Sequence, residues 1–441
     1  MINKLRVKTL NKYDKYKDSG VEWIGEIPEH WEVNKLKYQF EFIIGFTPPS
    51  GNSLYYEDGD KIWVNISDMN NKYISDSEKK ITDAAISKFK PRLLPIGSLL
   101  YSFKLSVGKV AFNKKELFTN EAIFSILPAE NINLNFYYYS LPIQVIKNAN
   151  KNSYGALILN KELIKNATLL IPPEQEQTAI ANFLDKKIAG IDELIAKKEK
   201  LLELYEEEKA AIINQAVTKG LPNKNGEYSV LFENSGVEWF DKIPKHWKVL
   251  KLKYCFKIRS GQVDPKLDIN KIKPLIAPNH IESKSGKLLH IQTAAEQGAD
   301  SGKYIIKKDD VIYSKIRPEL CKACISPVDG LCSADMYALD INKNVVNNLF
   351  ILYFLLSDIF TLFAINESMR VAMPKINRDA INDFSIALPP LIEQIQIVRY
   401  IETEIARIDK KMYKTKKLVE LLKEYKTTLI SEVITGKIKV I

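Results

Sequence analysis

The chain carries two copies of one framework motif, and this repeat constrains the fold more than any other feature. Residues 19–40 read SGVEWIGEIPEHWEVNKLKYQF and residues 235–256 read SGVEWFDKIPKHWKVLKLKYCF, with 15 of 22 positions identical. A second pair, PPEQEQTAIANFLDKKIAGIDEL from Pro172 and PPLIEQIQIVRYIETEIARIDKK from Pro389, repeats at a shift of 217. Between the paired motifs the halves diverge. The pattern predicts a duplicated scaffold that holds two different recognition modules.

The repeat divides the 441 residues into two halves, each with a variable module followed by a helical segment. We predict a first recognition domain at residues 1–171 and a first spacer helix at 172–220. A second recognition domain at 221–388 precedes a second spacer helix with the C-terminal tail at 389–441. An apolar fraction of 46% is sufficient for packed cores.

The positive charge lies outside the helical segments. Residues 174–219 and 391–435 together contain 16 Lys/Arg and 17 Asp/Glu, which leaves 48 basic and 37 acidic residues elsewhere, a net of +11. An excess confined to the variable modules favours a polyanionic partner such as nucleic acid, although a basic surface that serves solubility gives the same composition. Four cysteines are too few for a disulfide framework. We expect a soluble, cytoplasmic protein with no membrane partner, because the apolar run 349–365 is interrupted by Ser357 and Asp358.

Both helical segments show apolar residues at 3- and 4-residue steps. The first reads Leu184, Ile188, Ile191, Ile195, Leu202, Tyr205, Ile212 and Ala216, and the second has apolar residues at the same positions plus 217. A narrow stripe of this kind predicts an antiparallel coiled coil of two helices, each about 65–70 Å long at 1.5 Å per residue. Lys209 and Lys426 interrupt the stripe at matching places, where polar residues can fix register. The alternative is that each helix packs on its own module.

Residues 41–171 and 257–388 alternate apolar runs with Gly, Pro, Asn and Asp, which is typical of strands and loops. The predicted fold class is α+β, with two α/β recognition domains separated by the paired helices in a pseudo-two-fold repeat. Residues 99–104 align with 311–316, so the modules share a skeleton. Their loops are basic and polar but differ, as expected of loops that read base edges and phosphates. The predicted DNA-contacting residues are Asn65, Lys104, Ser106, Lys109, Lys151, Asn152, Ser153, Tyr154, Arg259, Gln262, Asn279, Lys315, Arg317, Arg370, Lys375 and Asn377.

The aromatic residues of the framework motif have a different interpretation. Trp23, Trp31, Tyr38 and Phe40 recur at a shift of 216, whereas residues that read sequence should differ between modules. We predict that they anchor each module to its neighbouring helix, and that His30 and His246 are structural.

No catalytic constellation is found. The chain has no G-x-x-x-x-G-K-[ST] loop, no G-x-G-x-x-G motif and no H-E-x-x-H motif. Cys321, Cys324 and Cys332 have the spacing that could begin a zinc site, but no fourth ligand is evident, and buried thiols are the favoured interpretation. We expect neither a metal nor a catalytic residue.

This organisation resembles the specificity (S) subunit of type I restriction–modification systems. The resemblance covers nearly the whole chain and rests on Ser-Gly-Val-Glu-Trp with Ile-Pro-x-His-Trp before each module and on the Glu-Gln pair that follows each Pro-Pro. The first module has Gly45-Phe46-Thr47-Pro48, near the family's Gly-Lys-Thr-Pro, and the second departs with Gly261-Gln262-Val263-Asp264.

The resemblance implies a non-enzymatic subunit that reads a bipartite, asymmetric double-stranded DNA target. It implies docking of two methyltransferase subunits on the helices, for which we predict Glu176, Gln177, Glu393 and Gln394, and association with restriction/translocase subunits. No cofactor is expected on this chain, since the partner subunits would use S-adenosylmethionine, ATP and Mg²⁺. The alternatives are a non-catalytic coiled-coil adaptor for two protein ligands and a self-sufficient nuclease or methyltransferase, which the missing motifs disfavour.

Overall fold

The computed structural model describes residues 11–104, 106–130, 132–151, 155, 157–223, 225–369 and 375–440. The chain forms two compact units, each composed of one module and parts of both long helices. The first unit contains residues 1–197 and 418–441, and the second contains residues 198–417.

The first unit is built on a five-stranded sheet. Its strand order is Phe42–Ile44, Ile123–Ile126, Leu99–Ser102, Val110–Asn113 and Tyr73–Ile74. A three-stranded sheet has the order Phe118–Thr119, Lys61–Val64 and Lys80–Ile81. Two-stranded sheets pair Tyr16–Asp18 with Glu26–Pro28, Glu32–Lys35 with Thr168–Ile171, and Asn150–Lys151 with Leu157–Ile158. The α-helices of the module are Leu36–Gln39, Asp83–Phe89, Leu134–Gln144 and Lys161–Lys165, and the 3₁₀ turns are Ser53–Tyr55, Ile66–Asp68 and Ile146–Asn148.

The second unit contains a four-stranded sheet with the order Phe256–Ile258, Met336–Ile341, Val311–Ser314 and Ala323–Ile325. A five-stranded sheet has the order Gln262–Val263, Lys303–Ile306, Gly330–Cys332, Pro274–Ile276 and Gln292–Thr293. Two-stranded sheets pair Phe232–Val237 with Phe240–Pro244, and Lys248–Lys251 with Ser385–Leu388. The α-helices of the module are Asp268–Lys271, Asn348–Leu355, Asp358–Ser368 and Arg378–Asp383, and the 3₁₀ turns are Leu252–Tyr254, Pro278–His280 and Pro318–Leu320.

The shared skeleton predicted for the modules is present in both sheets. The buried strand Leu99–Ser102 lies between Ile123–Ile126 and Val110–Asn113. Its counterpart Val311–Ser314 lies in the same way between Met336–Ile341 and Ala323–Ile325. Fold class and internal repeat are therefore as predicted, although the segments between these common strands differ in length and pairing.

The first long helix, Glu174–Lys219, and the second long helix, Leu391–Ile434, begin where the sequence predicts. Each follows a Pro-Pro pair that blocks helix upstream. A glycine in the left-handed region follows each helix, which is a common way to terminate one. Gly220, at φ +81°, directly follows the first, and Gly436, at φ +72°, comes two residues after the end of the second.

The two long helices pair antiparallel. In the first unit the Lys426 ammonium lies 2.7 Å from the Asp192 carboxylate, and in the second unit Lys209 lies 3.0 Å from Asp409. Residue number rises from 192 to 209 on one helix while it falls from 426 to 409 on the other. The two ion pairs are related by the 217-residue shift. The lysines that interrupt the apolar stripe therefore form equivalent bridges to the facing helix.

The apolar stripe is buried at most of its positions. Leu184, Ile188 and Ile195 of the first long helix are at most 9% exposed. Leu429 and Val433 near the end of the second long helix join the first module's core. The core of the second module includes residues from the end of the first long helix in the same way, Ile213, Ala216 and Val217.

The apolar run 349–365 forms two helices rather than one. The side chain of Ser357 accepts a hydrogen bond from the backbone of Phe360 and so caps the second of them. Among the described residues no single helix is long and apolar enough to cross a membrane, although Asn348–Leu355 and Asp358–Ser368, bent by 60°, meet that test when taken together.

Candidate nucleic-acid interface

The turn after Leu99–Ser102 presents three of the predicted lysine and serine residues. The Ser102 hydroxyl donates to the Ser106 carbonyl at 2.5 Å and accepts from the Lys109 backbone amide at 2.9 Å. Gly108, at φ +97°, completes the turn because this backbone conformation favours glycine. The Lys109 ammonium donates to the Ile66 carbonyl and to Asn70 Oδ1 at 3.3 and 3.1 Å. Lys104, near the beginning of the turn, is exposed.

Lys104 and Asn65 line one open cleft of about 1420 Å³ in the first module. The Asn120 amide donates to Asn65 Oδ1 at 3.0 Å, which orients both side chains along the cleft wall. Further polar lining comes from Thr47, Ser50, Ser67, Lys79 and Lys80 and from the carboxylates of Glu57, Asp58, Glu78 and Glu121. We call this site the first-module cleft. Its amides and ammonium groups are suited to base edges and phosphates respectively.

Arginine and tyrosine side chains meet in the second module. The Arg378 guanidinium lies 5.6 Å from the ring centroids of both Tyr304 and Tyr337 and donates to the Arg259 carbonyl at 2.8 Å. The Lys315 ammonium lies 5.5 Å from the Tyr337 ring. We call these five residues the arginine–tyrosine cluster. Cation–π contacts restrict the orientation of the Arg378 guanidinium. Its N–H groups that form no hydrogen bond within the module therefore keep a defined direction.

Arg259 is held by carboxylates. Its Nε and Nη2 donate to Asp310 at 2.6 and 2.9 Å, and Nη2 lies 3.3 Å from Asp340. Asp310 is only 4% exposed, so this bidentate pair is part of the module's framework. The hydrogen bond to Asp310 raises the pKa of Arg259 further above its ordinary value. The pair fixes the backbone carbonyl that receives Arg378.

Two segments distant in sequence run side by side at this cluster. Ile316 and Lys375 form an isolated antiparallel bridge, and the Ile376 amide donates to the Lys315 carbonyl at 2.9 Å. Gln262 pairs with Tyr304 across neighbouring strands. The structure thus brings the predicted residues Arg259, Gln262, Lys315 and Lys375 to one region of the second module.

The framework motif meets the first turn of each long helix. In the first unit Glu176 accepts from Trp31 Nε1 at 3.0 Å and from the Tyr13 hydroxyl at 2.8 Å, and its other oxygen lies 2.5 Å from His30 Nε2. In the second unit Glu393 accepts from Trp247 Nε1 at 3.0 Å and lies 2.7 Å from His246 Nε2. The predicted anchoring role is therefore present for the second tryptophan and the histidine of each motif.

Burial by itself would raise the pKa of Glu176, but the hydrogen bonds from Trp31, His30 and Tyr13 lower it below its ordinary value. The carboxylate is therefore the form that the folded first unit favours.

The amino-acid sequence matches the family model of the type I restriction modification DNA specificity domain twice, at residues 28–204 and 244–421. The chain belongs to this family. Both matches begin in or just after a framework motif and end within a long helix, so the family's unit is a module with the helix that follows it.

Two named specificity subunits have sequences similar to this chain, over different fractions of its length. The type I restriction enzyme EcoDI specificity subunit of Escherichia coli is 33% identical over 60% of this chain and 61% of that subunit. The MjaIX specificity subunit of Methanocaldococcus jannaschii is 25% identical over 95% of both chains. This member of a DNA-specificity family is a recognition subunit and not an enzyme.

Solved structures agree on the fold. A chain from a structure of complex assembly and conformational transition of the type I R-M system superposes with a TM-score of 0.66, at 14% identity, over 92% of this chain and 98% of that one. The HsdS subunit from Thermoanaerobacter tengcongensis gives a TM-score of 0.55 at 15% identity, over 93% and 98%.

The remaining predicted DNA-contacting residues are dispersed. Lys151 is exposed on the short strand Asn150–Lys151, and Arg317 is exposed in the left-handed region at φ +48°. Asn279 is exposed on a 3₁₀ turn, and Asn377 accepts from the Ala380 amide at 2.7 Å as the cap of Arg378–Asp383. Asn152, Ser153, Tyr154 and Arg370 lie outside the described residues. DNA contact stays a prediction for the whole set.

The four residues predicted for partner docking are used inside the chain. Glu176 and Glu393 hold the framework motif. The Gln177 amide donates to the Pro172 carbonyl at 2.9 Å, and Gln394 does the same to Pro389 at 2.9 Å and is fully buried. This geometry gives them a structural role and does not support the docking role, which stays a prediction.

Three residues of the arginine–tyrosine cluster were not among the predicted contacts. Arg378 ends the basic loop of the second module, so its position was visible in sequence. Tyr304 and Tyr337 could be found only from the tertiary structure, because they lie on strands of two different sheets. The thiols of Cys324 and Cys332 are buried, which raises their pKa to about 12. Among the described residues no group of three or more His, Cys, Asp and Glu is placed to hold a metal ion.

Proposed function

We propose that this chain is the DNA-sequence-specificity subunit of a type I restriction–modification complex, and that each module reads one half of a bipartite, asymmetric target. The observation that carries the proposal is the contrast between a repeated anchor and two unlike polar surfaces. The first-module cleft offers amides, lysines and carboxylates, and the arginine–tyrosine cluster offers a guanidinium that contacts two tyrosine rings. Surfaces of different donors and acceptors select different bases. The excess charge of +11 outside the long helices supports a polyanionic ligand.

The paired long helices would set the number of unread base pairs between the half-sites. Support comes from the bridges Asp192–Lys426 and Lys209–Asp409, which define one register for the antiparallel pair. A polar residue in an apolar stripe disfavours slipped pairings, because slippage leaves its charge unpaired. A helix pair of fixed register has a fixed length, as a spacer requires.

Two methyltransferase subunits would dock on the long helices. The outward-facing Lys200, Leu204 and Glu207 lie on one helix face and recur as Lys417, Leu421 and Glu424. Leu204 is 47% exposed and Leu421 is 38% exposed. Leucines left in solvent at equivalent places are suited to two copies of one partner. These residues replace Glu176, Gln177, Glu393 and Gln394 as the favoured docking site.

In this proposal the chain binds double-stranded DNA and no cofactor of its own. The methyltransferase subunits use S-adenosylmethionine, and restriction/translocase subunits use ATP and Mg²⁺. The complex works in the cytoplasm, where the host DNA is found.

Mapping adenine methylation tests this function. Host DNA is sequenced with and without this gene, in the presence of its methyltransferase partner. The expected result is a split motif with a constant gap, which disappears when the gene is deleted. Replacing residues 41–171 with the module of another family member should change one half of the motif only. A change in both halves would contradict the modular assignment.

A matched deletion tests the spacer. Residues 197–203 and their equivalents 414–420 are removed together, so that both helices lose seven residues and the heptad phase is kept. Seven residues correspond to about 10.5 Å of helix, or roughly three base pairs at 3.4 Å per step. The gap should shorten by about that number with both half-sites unchanged. An unaltered gap would show that the helices do not set it.

A further inference from the structure

Besides the tryptophan and histidine of the anchor, the positions that are identical in both framework motifs include two further groups. Leu36 and Leu252 are fully buried, and Phe40 and Phe256 are 7% and 2% exposed. Packing accounts for these residues, because each fills the core of its own module. Packing does not account for the second group, which lies on the surface.

The second group is exposed to a similar degree in both halves. Val33 and Val249 are 36% and 39% exposed, and Tyr38 and Tyr254 are 69% and 58% exposed. The framework prediction that Tyr38 helps to anchor the module is therefore wrong. We call the following residues the repeated lysine–tyrosine surface: Val33, Lys35, Lys37 and Tyr38 in the first copy, and Val249, Lys251, Lys253 and Tyr254 in the second.

The tyrosines are held in a similar local arrangement. The Lys37 ammonium lies 5.0 Å from the Tyr38 ring centroid, and Lys253 lies 5.6 Å from that of Tyr254. The strand that carries Val33, Glu32–Lys35, pairs with Thr168–Ile171, which leads directly into the first long helix. Lys248–Lys251 pairs in the same way with the strand before the second long helix. Each copy therefore lies at the base of a module, next to the start of a helix.

We propose that the repeated lysine–tyrosine surface binds two copies of one protein subunit, one copy at each half of the chain. This proposal rests on the proposed function and extends the docking site from the helix faces to the module bases. The matching surface on the partner would carry an apolar pocket for the tyrosine ring and carboxylates for the two lysines. Tyrosine is well suited to such a role, because it adds a large apolar area with little loss of conformational entropy.

Base reading does not explain the surface, because the two half-sites differ whereas these residues are the same. Phosphate binding is disfavoured by the net charge around the first copy of the surface. Residues 248–257 carry a net of +4, but residues 32–41 contain two lysines and two glutamates and carry no net charge. A phosphate contact shared by both halves should be basic in both. An exposed valine also contributes apolar area, which a phosphate does not use.

The two copies differ in one neighbour. Lys251 and Lys253 lie 2.9 and 3.8 Å from the Asp383 carboxylate. The equivalent position in the first half is Asn166, and Lys35 and Lys37 have no carboxylate partner within the described part of the chain. The lysines of the first copy are therefore free to pair with the partner, so charge reversal there should weaken binding more.

The test uses the intact chain with the methyltransferase subunit of its own system, and native mass spectrometry to count bound subunits. Wild type is expected to bind two copies. Tyr38→Ala and Tyr254→Ala should each weaken one site by at least about tenfold, leaving one copy at limiting concentration, and the double variant should bind neither. Lys37→Glu should weaken its site more than Lys253→Glu weakens the other.

Tyr73→Ala is the matched control. Tyr73 is 48% exposed on the strand Tyr73–Ile74 of the first module, outside the framework motif and outside both long helices. Retention of two copies by the double variant would overturn the proposal while leaving the proposed function intact. The same holds if the variants reduce only the salt dependence of DNA binding, which would assign the surface to phosphate. A wild-type chain that binds no subunit would overturn both.

Discussion

The two modules are fixed to their helices by the same contact but present different chemistry to the outside. At each anchor a tryptophan and a histidine meet a glutamate in the first turn of a long helix. The first-module cleft then carries amides, lysines and carboxylates, whereas the second module carries a guanidinium that lies 5.6 Å from each of two tyrosine ring centroids. The anchor and the surface proposed to read DNA are therefore separable, because the two halves share the anchor but differ in the surface.

The anchors themselves are not equal. Glu176 receives Tyr13 as a third partner, and its side chain is 11% exposed, compared with 21% for Glu393. Trp31 is fully buried, and Trp247 is 4% exposed. The first unit has a further contact nearby, where the Lys439 amide donates to the Asn11 carbonyl at 2.7 Å. The first module should therefore depend more strongly on its glutamate.

Replacing the anchor glutamates is expected to have the largest effect. Glu176→Ala leaves the Trp31 and Tyr13 donors without an acceptor in a buried site, which costs roughly 3 kcal/mol. Glu393→Ala removes the acceptor of fewer and more exposed donors and should cost roughly 2 kcal/mol. Urea unfolding with hydrogen exchange of residues 26–40 and 242–256 measures each anchor separately. Glu174→Ala, an exposed glutamate in the same turn, is the control. Equal losses at both anchors would refute the inequality.

Acid should weaken the anchor of the first module. Because the folded pKa of Glu176 lies below its ordinary value of 4.5, the carboxylate stabilises the first unit fully above that value. This contribution is lost as the pH falls through the folded pKa. Protection of residues 26–40 should therefore decrease on acidification below about pH 4.5, and Glu176→Gln should remove that dependence. An unchanged acid profile in Glu176→Gln would show that another group is responsible.

Replacing the central arginine of the second reading surface should affect one half of the target only. Arg378→Lys keeps the charge but loses the planar group that stacks on Tyr304 and Tyr337, so binding should fall by about 10- to 100-fold. DNA duplexes altered in one half-site at a time, titrated with the reconstituted complex, measure the loss. The variant should also discriminate less among bases in the second half-site. Full retention of specificity would exclude Arg378 from base reading.

A lysine of the first reading surface should act differently. Lys104 is exposed near the beginning of its turn, and a single ammonium of this kind suits a phosphate rather than a base. Lys104→Ala should weaken binding similarly for all sequences and reduce the slope of log affinity against log salt by about 1. Lys90→Ala, another exposed lysine of the same module that does not line the cleft, serves as control. A change in base preference would reverse the assignment.

The parts of the fold that sequence could predict are those defined by neighbours in the chain. Pro172-Pro173, the 3- and 4-residue steps and the closing glycine mark the first long helix at its observed bounds. The arginine–tyrosine cluster could not be predicted in the same way. Tyr304 and Tyr337 lie on strands of different sheets and Arg378 lies on a helix, so the three meet only through tertiary packing. The prediction for Glu176 and Gln177 has a different outcome. Their repetition was attributed to a partner, whereas both side chains form hydrogen bonds inside the chain, so the docking role stays a prediction.

The smallest predicted effect compares the two halves once more, at the ion pairs between the long helices. Lys209 is 14% exposed and its partner Asp409 is 35% exposed, whereas Lys426 and Asp192 are 32% and 50% exposed. Burial by itself would lower the pKa of Lys209, but the hydrogen bond to Asp409 and the charge of Glu206 raise it. Asp409 also receives Lys287 at 3.0 Å. Solvent screens the exposed pair more strongly, so the buried pair should contribute more.

Lys209→Met should therefore destabilise the second unit by about 1 kcal/mol, and Lys426→Met should destabilise the first by only about 0.3 kcal/mol. Urea unfolding at low and high salt measures both, and the Lys426 effect should be the more sensitive to salt because its pair is more exposed. Asp409→Asn with Lys209→Met completes a double-mutant cycle that isolates the pair. If both single variants were as stable as wild type, the bridges would set the register of the helix pair without adding stability. An apolar side chain at either position would then pack in the stripe as well as the lysine does.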